Sequence, residues 1–502
     1  MHVPTLALAA LALALSVNAA GHALPPSHVD DFAGRPRLVV LSDIGNEPDD
    51  QMSLVRLLLY SNELEIEALV ATTSTWQKEK VQPDIMRRVI AAYALVRPNL
   101  LLHAPGWPEA AALEARVSAG QPGYGLAAVG PGKLTPGAEA IVRAADRDDA
   151  RPLWIAVWGG ANTLAQALLH VRATRPPAAV DAFVSKLRVR SISDQDDAGP
   201  WIRREFPGLL YIVEPSSPDS GDYLYATWTG ISGDDYYRNC DGADPTTVTN
   251  DWLERNIRAV GPLGKAYPRF AFIMEGDTPS FLNLVDNGLA GYRSPSWGGW
   301  GGRYAFRQPR AEGRAIWTIG GDLFGRVTSQ DRVRGLDGRD RVSDQATIWR
   351  WRDDFQRDFA ARMAWTTTAY AEANHHPKVV VNGAEGTAPV ALEAAVGQPV
   401  VLDASATRDP DGHRLTYRWF HYPEAGFVPG VNLADVTISG ADTPRATLTA
   451  TAACRPAWMP MKGDCAAGVA HVILAVTDDG TPRLTSYRRI VLDVRRREPR
   501  LP

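Results

Sequence analysis

Four carboxylates follow directly on an apolar run near the beginning of the chain. The apolar residues Leu38–Leu41 are followed by Asp43, Glu47, Asp49 and Asp50, and an apolar-periodic segment begins at once. Carboxylates crowded at the end of a buried strand repel one another, so the cluster is costly unless a cation or polar ligand compensates it. Ligands of α/β sheets also bind at the carboxyl ends of strands. The pattern predicts an active or metal site, and the alternative is an acidic N-terminus on a surface helix.

Alternating strand and helix patterns surround this cluster and predict an α/β fold with a parallel sheet. The predicted strands are Arg37–Leu41, Glu65–Thr72, Leu153–Val157, Leu187–Ser191 and Leu209–Val213. The predicted helices are Asp49–Tyr60, Val81–Val96, Ala161–Arg172, Gly199–Phe206 and a long helix over residues 345–374. Between these elements, residues 215–345 are rich in Gly, Asp, Tyr and Trp, which predicts long loops that carry function.

The composition and the hydrophobic pattern of the sequence change after Pro377. Long helical patterns stop, and short runs rich in Val, Thr and Leu alternate with Gly, Pro and Asp. The predicted strands are Val379–Asn382, Pro399–Asp403, Leu415–Phe420, Ala446–Thr451, Ala470–Thr477 and Arg488–Val494. This spacing is typical of a β-sandwich.

Length and composition set the wider frame. A chain of 502 residues with 45% hydrophobic residues predicts two or three domains, and a net charge of −4 favours neither nucleic acid nor an anionic membrane as partner. Residues 1–20 predict a signal peptide, because the apolar core Leu6–Leu15 is too short to span a bilayer. We therefore expect a soluble protein that is secreted or periplasmic. Export permits disulfides, so Cys454 and Cys465 are candidates to pair, which leaves Cys240 odd.

The acidic segment carries a family resemblance. Residues Ser42–Asp50 read SDIGNEPDD and resemble the N-terminal signature of the nucleoside hydrolases, D-x-D-P-G-x-D-D, with two extra residues before the final pair. Together with the later run TIWRWRDDFQRDFAARM, this version is similar to a secreted bacterial family of nucleoside-hydrolase-like proteins, described as cellulose-binding and carrying a C-terminal cadherin-like domain. The resemblance implies a nucleoside-hydrolase-like parallel-sheet α/β domain over residues 36–376. An all-β immunoglobulin/cadherin-like sandwich would follow over residues 378–495.

Nucleoside hydrolases hold a calcium ion with this cluster and cleave the N-glycosidic bond of ribonucleosides. Carried over by position, the resemblance implies that Asp43 is both a Ca²⁺ ligand and the catalytic base. Asp50 would be a second Ca²⁺ ligand, and Asp49 would accept hydrogen bonds from sugar hydroxyls. The chemistry agrees, because calcium prefers mixed carboxylate and carbonyl oxygens and a bound cation acidifies its water. Glu47 falls in the insertion and has no counterpart.

Three later segments complete the implied site. IAVWGGANTL resembles the family motif V-x-T-G-P-L-T-N, which implies that the backbone carbonyl of Trp158 joins the metal shell. FIMEGDTP lies where nucleoside hydrolases carry E-F-N, which implies that Glu275 and Asp277 bind substrate hydroxyls, the alternative being a solvated turn. Asp344 is implied as a last Ca²⁺ ligand or is an N-cap of the helix that follows. No histidine adjoins it, although nucleoside hydrolases usually have one there.

Other polar and aromatic groups have two interpretations each. Asn162 is read as a helix cap rather than a ligand. The three aspartates in SISDQDDAG line the opening of the same predicted site or cap the next helix. The loop Tyr292–Tyr304, rich in Trp and Gly, either contacts carbohydrate together with Trp76 and Trp107 or packs on the sheet.

In the C-terminal part, VLDASATRDPDGHRLTYRW resembles polycystic-kidney-disease-type and cadherin-like domains. Its aspartates Asp409 and Asp411, with Asp478 and Asp479 of a later turn, are either calcium ligands or turn residues, and turn chemistry is favoured.

Two hypotheses remain. The first is a secreted, calcium-dependent hydrolase of N-glycosidic or related glycosyl bonds. The second is a non-catalytic carbohydrate-binding or cellulose-binding protein that retains the hydrolase fold. Asp43, Asp49 and Asp50 favour hydrolysis, whereas the missing histidine, the Trp/Gly loop and the appended β domain favour binding. The expected partner is a small-molecule glycoside or a polysaccharide.

Overall fold

The computed structural model describes residues 27–215, 226–309, 312–318, 329–454 and 465–496. The signal peptide expected at residues 1–20 lies outside these ranges. Within them, no helix has both the length and the apolar character that a membrane span requires.

Eight strands of the described chain form one sheet in the order β3-β2-β1-β4-β5-β6-β8-β7. They are β1 (Arg37–Ser42), β2 (Glu65–Ala71), β3 (Val117–Ala119), β4 (Leu153–Val157), β5 (Leu187–Ser191), β6 (Leu210–Val213), β7 (Ala305–Arg307) and β8 (Ile316–Thr318). The neighbouring pairs are parallel except β7–β8, which is antiparallel. The sheet is therefore mostly parallel, and the five predicted strands are confirmed.

Helices cover both faces of this sheet. They are α1 (Asp49–Leu58), α2 (Pro83–His103), α3 (Ala110–Glu114), α4 (Pro136–Asp146), α5 (Asn162–Thr174), α6 (Pro177–Ser185), α7 (Ala198–Glu205), α8 (Asn250–Leu253), α9 (Gly261–Lys265), α10 (Pro279–Leu282), α11 (Ala346–Trp349) and α12 (Arg352–Ala364). Alternate residues of β1 enter opposite cores: Leu38 and Val40 pack with α1 and α2, whereas Val39 and Leu41 pack with α4 and α5. Burial on both sides explains why β1 is apolar throughout.

The strand order reverses at the centre of the sheet. β1 pairs with β2 on one side and with β4 on the other. The connections from β1 and from β4 therefore run in opposite directions, which leaves a crevice at the carboxyl ends of these two strands. Open α/β sheets bind their ligands in such a crevice.

The long helix predicted over residues 345–374 is wrong. The structure has two helices there, α11 and α12, followed by a 3₁₀ turn at Tyr370–Glu372. The hydroxyls of Thr366, Thr367 and Thr368 donate to the carbonyls of Met363 and Ala364 at the end of α12. Three consecutive β-branched residues that bond back to the preceding turn favour ending the helix.

The C-terminal region forms two facing β-sheets. In the described residues a four-stranded sheet has the order β13-β19-β18-β15, and a three-stranded sheet has the order β14-β17-β16. The strands are β13 (Val390–Ala395), β14 (Pro399–Asp403), β15 (Leu415–His421), β16 (Asp435–Ser439), β17 (Arg445–Ala452), β18 (Ala467–Asp478) and β19 (Thr485–Arg495). Two short antiparallel pairs precede them along the chain, β9 (Asp331–Arg334) with β10 (Asp340–Ser343) and β11 (Val380–Val381) with β12 (Ala384–Glu385). One core, which includes Trp419, Leu448 and Ile490, lies between the sheets. Cys454 and Cys465 form a disulfide, and Cys240 is buried and free.

The Trp/Gly loop joins the two regions. Trp300 is buried and lies edge-on to Tyr487 of β19, with ring centroids 6.4 Å apart. Arg489, also on β19, donates to the carbonyl of Gly298 at 2.9 Å. A Cβ on Gly288, which has φ of +93°, would lie 1.9 Å from the carbonyl oxygen of Tyr487. The loop therefore packs the β domain against the α/β domain, which confirms the packing role predicted as one of its two alternatives.

Candidate functional site

Asp43 lies at the crevice where the strand order reverses. It follows β1 directly and is buried. The hydroxyl of Ser74, in the loop after β2, donates to its Oδ2 atom, and Gln77 Nε2 donates to its backbone carbonyl at 2.9 Å. On the other side, a Cβ on Gly159 would lie only 2.7 Å from Asp43 Oδ1, so glycine is required where the chain leaves β4.

Three further carboxylates meet beside Asp43. Asp49 and Asp50 begin α1, and Asp277 lies just before α10. One ligand atom of each lies within 4.8 Å of the others. Ser42 at the end of β1 donates to Asp50 at 2.5 Å. Asp277 Oδ2 is buried and has no hydrogen-bond partner in the described part of the chain.

The charges of this cluster oppose one another. Burial raises the pKa of Asp43 to about 6, and the charge of Glu47 adds to the effect while the Ser74 hydrogen bond works against it. Burial, with the charges of Glu47 and Asp43, raises the pKa of Asp49 to about 7. The pKa values of Asp50 and Asp277 lie well above the usual range, because both are buried beside the other carboxylates. A positive charge at this point would lower all four pKa values.

The donor set fits a hard divalent cation. Asp49, Asp50 and Asp277 offer only carboxylate oxygens, which is the chemistry that calcium and magnesium prefer. A buried carboxylate oxygen without a hydrogen bond, Asp277 Oδ2, is expensive in a protein interior unless a cation satisfies it. These residues therefore differ in part from the metal set implied by the sequence, which contained Asp43 and Asp50 but neither Asp49 nor Asp277.

Glu275 is placed in a different environment from Asp277. It is fully buried and accepts hydrogen bonds from Arg56, Tyr267 and Thr278 at 2.5, 2.6 and 2.7 Å. Arg56 is equally buried and also donates to the backbone carbonyl of Phe355. These contacts favour a role in holding α1 to the later loops, and they do not support the predicted contact of Glu275 with substrate.

Trp158 lies at the carboxyl end of β4, as the sequence implied. Its indole nitrogen donates to the Ser280 hydroxyl at 2.7 Å, and its backbone carbonyl accepts from Gln195 Nε2 at 2.7 Å. Asn162 does not cap α5. Its amide donates to Thr73 and to the carbonyl of Gly123.

The cap of α5 comes from one of the three aspartates of SISDQDDAG. Asp196 accepts from the backbone N–H groups of Asn162 and of Ala198 in α7, at 3.0 Å each. Asp194 forms a buried bidentate ion pair with Arg203. These two aspartates therefore support the scaffold.

Asp344 is buried just before α11 but does not belong to the group of Asp49, Asp50 and Asp277. Its backbone carbonyl accepts from Thr347, and the hydroxyl of Ser343 accepts from the Ala346 N–H at the start of α11. The metal role of Asp344 and that of the Trp158 carbonyl stay predictions.

An aromatic row that the sequence did not reveal leads away from the carboxylates. A Cβ on Gly276 would lie 3.0 Å from Asp49 and 3.3 Å from the ring of Trp228. Trp228 contacts Tyr237, Tyr237 contacts Tyr236, and Tyr236 contacts Phe272, with ring centroids 5.8, 4.9 and 5.7 Å apart. Tyr236 and Phe272 are 55% and 49% exposed, whereas the predicted Trp107 is buried. The only sequence signal was the pair of tyrosines after two aspartates, in a loop without periodicity.

Trp76 also remains at the surface near the site. It is 51% exposed, and its backbone N–H donates to the same Ser74 hydroxyl that binds Asp43. Trp76, one residue of the predicted aromatic rim, therefore lies close to Asp43.

A mostly parallel, doubly wound sheet with carboxylates at its switch point, followed by all-β sheets, defines a nucleoside-hydrolase-like α/β protein with a C-terminal β domain. A family model described as "Cellulose-binding Sde182, nucleoside hydrolase-like domain" matches residues 37–304, and one described as "Cellulose-binding protein Sde0182, C-terminal domain" matches residues 399–494. The chain belongs to this Sde182 family.

A solved structure agrees with this assignment. A nucleoside hydrolase-related hypothetical protein from Saccharophagus degradans, described as associated with carbohydrate metabolism, is 34% identical with a TM-score of 0.74, and the match covers 92% of this chain and 100% of that one. Two weaker matches are the PKD domain from KIAA 1837 protein (19% identity, 23% and 86% coverage, TM-score 0.14) and the effector protein XOO4466 (10%, 67% and 95%, 0.29). No curated protein matches the chain.

Proposed function

We propose that this chain is an exported, calcium-dependent hydrolase of N-glycosidic or related glycosyl bonds. The observation that carries the proposal is the meeting of Asp49, Asp50 and Asp277 at the switch point, with one buried carboxylate oxygen left without a hydrogen bond. A cation held there would polarise a bound water and lower its pKa. The signal-like residues 1–20 support export.

Asp43 is the proposed general base. It is adjacent to the three carboxylates, and the hydroxyl of Ser74 fixes its orientation. In the proposed reaction a water oxygen bonds to the anomeric carbon, the bond from that carbon to the leaving group breaks, and Asp43 takes the proton of the water. The leaving group departs with the bonding electrons and takes up a proton from solvent.

The aromatic row supports a sugar as the ligand. Trp228 lies beside Asp49, and Tyr236 and Phe272 extend the row to the surface. Flat aromatic faces with a polar edge suit ligands that are apolar on one face and hydroxylated at the rim. A glycoside with one sugar ring at the carboxylates and a second group along the row would use both features.

A non-catalytic polysaccharide-binding role is the second candidate. The description of the family as cellulose-binding favours it, and so does the exposed pair of Tyr236 and Phe272. In this alternative the carboxylates and their cation hold the loops in place, and the aromatic row binds the chain of sugars.

One experiment separates the two. The mature protein is incubated with Ca²⁺ and a panel of nucleosides and aryl glycosides, and release of the leaving group is measured beside retention on insoluble cellulose. The variants are Asp43→Asn, the double variant Tyr236→Ala/Phe272→Ala, and Asp84→Asn. Asp84 is a matched control because its carboxylate is 81% exposed and pairs with Arg87 on the surface.

Hydrolysis predicts release by the parent and by Asp84→Asn, with a loss of at least about 100-fold in Asp43→Asn. Binding without turnover predicts no release by any form, and retention on cellulose that survives Asp43→Asn but not the aromatic double variant. Release that Asp43→Asn leaves unchanged would remove Asp43 from the reaction.

A further inference from the structure

A second group of potential metal ligands lies in the β domain, at the turn between β14 and β15. The side chains of Asp409, Asp411 and His413 each bring one ligand atom within 4.8 Å of the other two. The three residues are spaced by two along the chain, and Gly412 between them has φ of +81°. The turn therefore points alternate side chains toward one place.

Turn chemistry explains only one of the two oxygens of Asp409. Its Oδ1 atom accepts from the backbone N–H groups of Asp411 and His413, at 2.9 and 3.0 Å. Its Oδ2 atom is buried and has no hydrogen-bond partner in the described ranges, and the whole side chain is 1% exposed. A buried carboxylate oxygen left this way requires an explanation.

His413 is the second residue of the group with a buried polar atom that lacks a hydrogen bond in the described residues. Its Nδ1 atom lies 3.5 Å from Asp409 Oδ1 and is also buried without a hydrogen-bond partner among the described residues. The side chain as a whole is 34% exposed, so the ring is accessible from solvent on its other side. Asp409 and His413 therefore each carry one buried polar atom without a hydrogen bond, and their ligand atoms lie within 4.8 Å of each other, so one cation could satisfy both side chains.

Asp411 is held in place by a residue between the two domains. The backbone N–H of His375 donates to Asp411 Oδ2 at 2.7 Å, and His375 Nδ1 lies 3.0 Å from Asp411 Oδ1. The other ring nitrogen of His375 lies 3.0 Å from Nδ1 of His103 at the end of α2. His103 in turn donates through Nε2 to the carbonyl of Thr368. A carboxylate ligand supported by an imidazole in this manner is typical of protein metal sites.

We propose that Asp409, Asp411 and His413 form a binding site for a divalent transition-metal ion such as Zn²⁺. Imidazole nitrogen combined with carboxylate oxygens suits zinc and its neighbours better than calcium, which prefers oxygen alone. Three protein ligands leave further positions for water. The site differs in ligand type from the all-carboxylate group at the switch point, so the two are expected to select different ions.

The site has a consequence for the domain junction. Asp411 contacts His375, and His375 contacts His103 of the α/β domain. An ion that fixes Asp411 therefore also fixes the link between the β14–β15 turn and α2. Bound metal is expected to raise the unfolding temperature of the β domain together with that of the junction.

The test is calorimetric titration of the full mature chain with ZnCl₂, in an Asp277→Asn background that weakens the other carboxylate group. The test variants are His413→Ala and Asp409→Asn. Asparagine keeps the Oδ1 acceptor that the turn requires, and His413→Ala truncates a partly exposed ring, so at least one of the two is expected to fold. The control is His170→Ala, which removes a partly exposed histidine at the end of α5.

The expected result is one tight zinc site that each test variant weakens by at least about 10-fold, while His170→Ala leaves the affinity unchanged. The titration with CaCl₂ is expected to show no difference between His413→Ala and its background. The proposal is overturned by a background protein that binds no zinc, by equal zinc affinity in the background and in His413→Ala, or by an equal loss in His170→Ala.

Discussion

Asp277→Asn tests the cation site most directly, because the substitution removes one carboxylate and keeps the shape of the side chain. In the cation-free protein the pKa of Asp277 lies well above its usual range, because burial and the charges of Asp50, Asp49 and Asp43 disfavour the ionised carboxylate. Asparagine keeps the shape of the side chain and removes a charge that this environment disfavours, so the substitution is not expected to lower the unfolding temperature of the cation-free protein.

The effect of the substitution is expected to emerge only when calcium is added. A ligand that binds the folded state alone stabilises it by about 2.7 kcal/mol at 100 times its Kd. For an α/β domain of about 340 residues, an unfolding entropy of roughly 2.1 cal/mol/K per residue converts this into a rise of about 4 °C in Tm. The parent is expected to show this rise and Asp277→Asn to lose most of it.

The assay is differential scanning calorimetry of the parent, Asp277→Asn and the surface control Asp84→Asn, each with EDTA and with excess CaCl₂. Asp84→Asn is expected to respond to calcium as the parent does. A calcium response of Asp277→Asn equal to that of the parent would place Asp277 outside the metal shell. An equal drop in Tm with and without calcium would show a structural role instead.

Further predictions concern the site, its support and the domain junction. Because burial raises the pKa values of two site carboxylates to about 6 and about 7, protons compete with the cation, and calcium affinity measured by titration calorimetry should increase from pH 5 to pH 8; a constant affinity would contradict the shifts. The same shifts mean that the cation-free folded state binds more protons than the unfolded state between about pH 4 and 7, so they contribute stability at pH 5 that is lost as pH rises to 8. Glu275→Gln leaves Arg56 as a buried charge without its counter-ion, and urea unfolding should show that the free energy of unfolding falls by about 3 kcal/mol or more. A loss of activity without a loss of stability would instead support the predicted contact of Glu275 with substrate. Gly288→Ala should destabilise the domain junction by at least about 3 kcal/mol, since the added Cβ meets a backbone carbonyl of β19. The control Gly397→Ala, at φ of +78° with no atom within 4 Å of its Cβ, should cost about 1 kcal/mol. Equal losses of stability would show that backbone strain, rather than the collision with β19, causes the loss at Gly288.

The strands of the α/β domain were predictable where burial on both faces produces a continuous apolar run. β1 and β4 are buried on both faces, so each reads as a continuous apolar run, and their predicted bounds agree with the structure to within one residue. α4 (Pro136–Asp146) was missed because its buried face consists largely of alanine and glycine, which do not stand out in the sequence as core residues. β13 was missed because its exposed and half-buried residues alternate and give the strand no strongly apolar face.

From the residues alone, the site was predictable where it is local in the sequence, and Asp277 was reached only through the family resemblance. Asp43, Asp49 and Asp50 lie within one turn, and their crowding is visible in the letters. The aromatic row of Trp228 and Phe272 depends on contacts between loops that carry no periodic pattern. The preference for turn chemistry at Asp409 accounts for its Oδ1 atom, but a sequence does not reveal that the Oδ2 atom of the same side chain is buried.

Glu275 and Asp277 show what decides between support and function in this site. They are two residues apart and both fully buried, and the sequence assigned the same role to both. Glu275, at φ of +54°, meets the guanidinium of Arg56, so its charge is neutralised within the protein. Asp277 faces Asp49 and Asp50, and the described residues supply no positive partner for its Oδ2 atom. Because an uncompensated buried carboxylate is strongly unfavourable, the ion pair of Glu275 favours a structural role, whereas the surroundings of Asp277 support the proposal that it is a cation ligand.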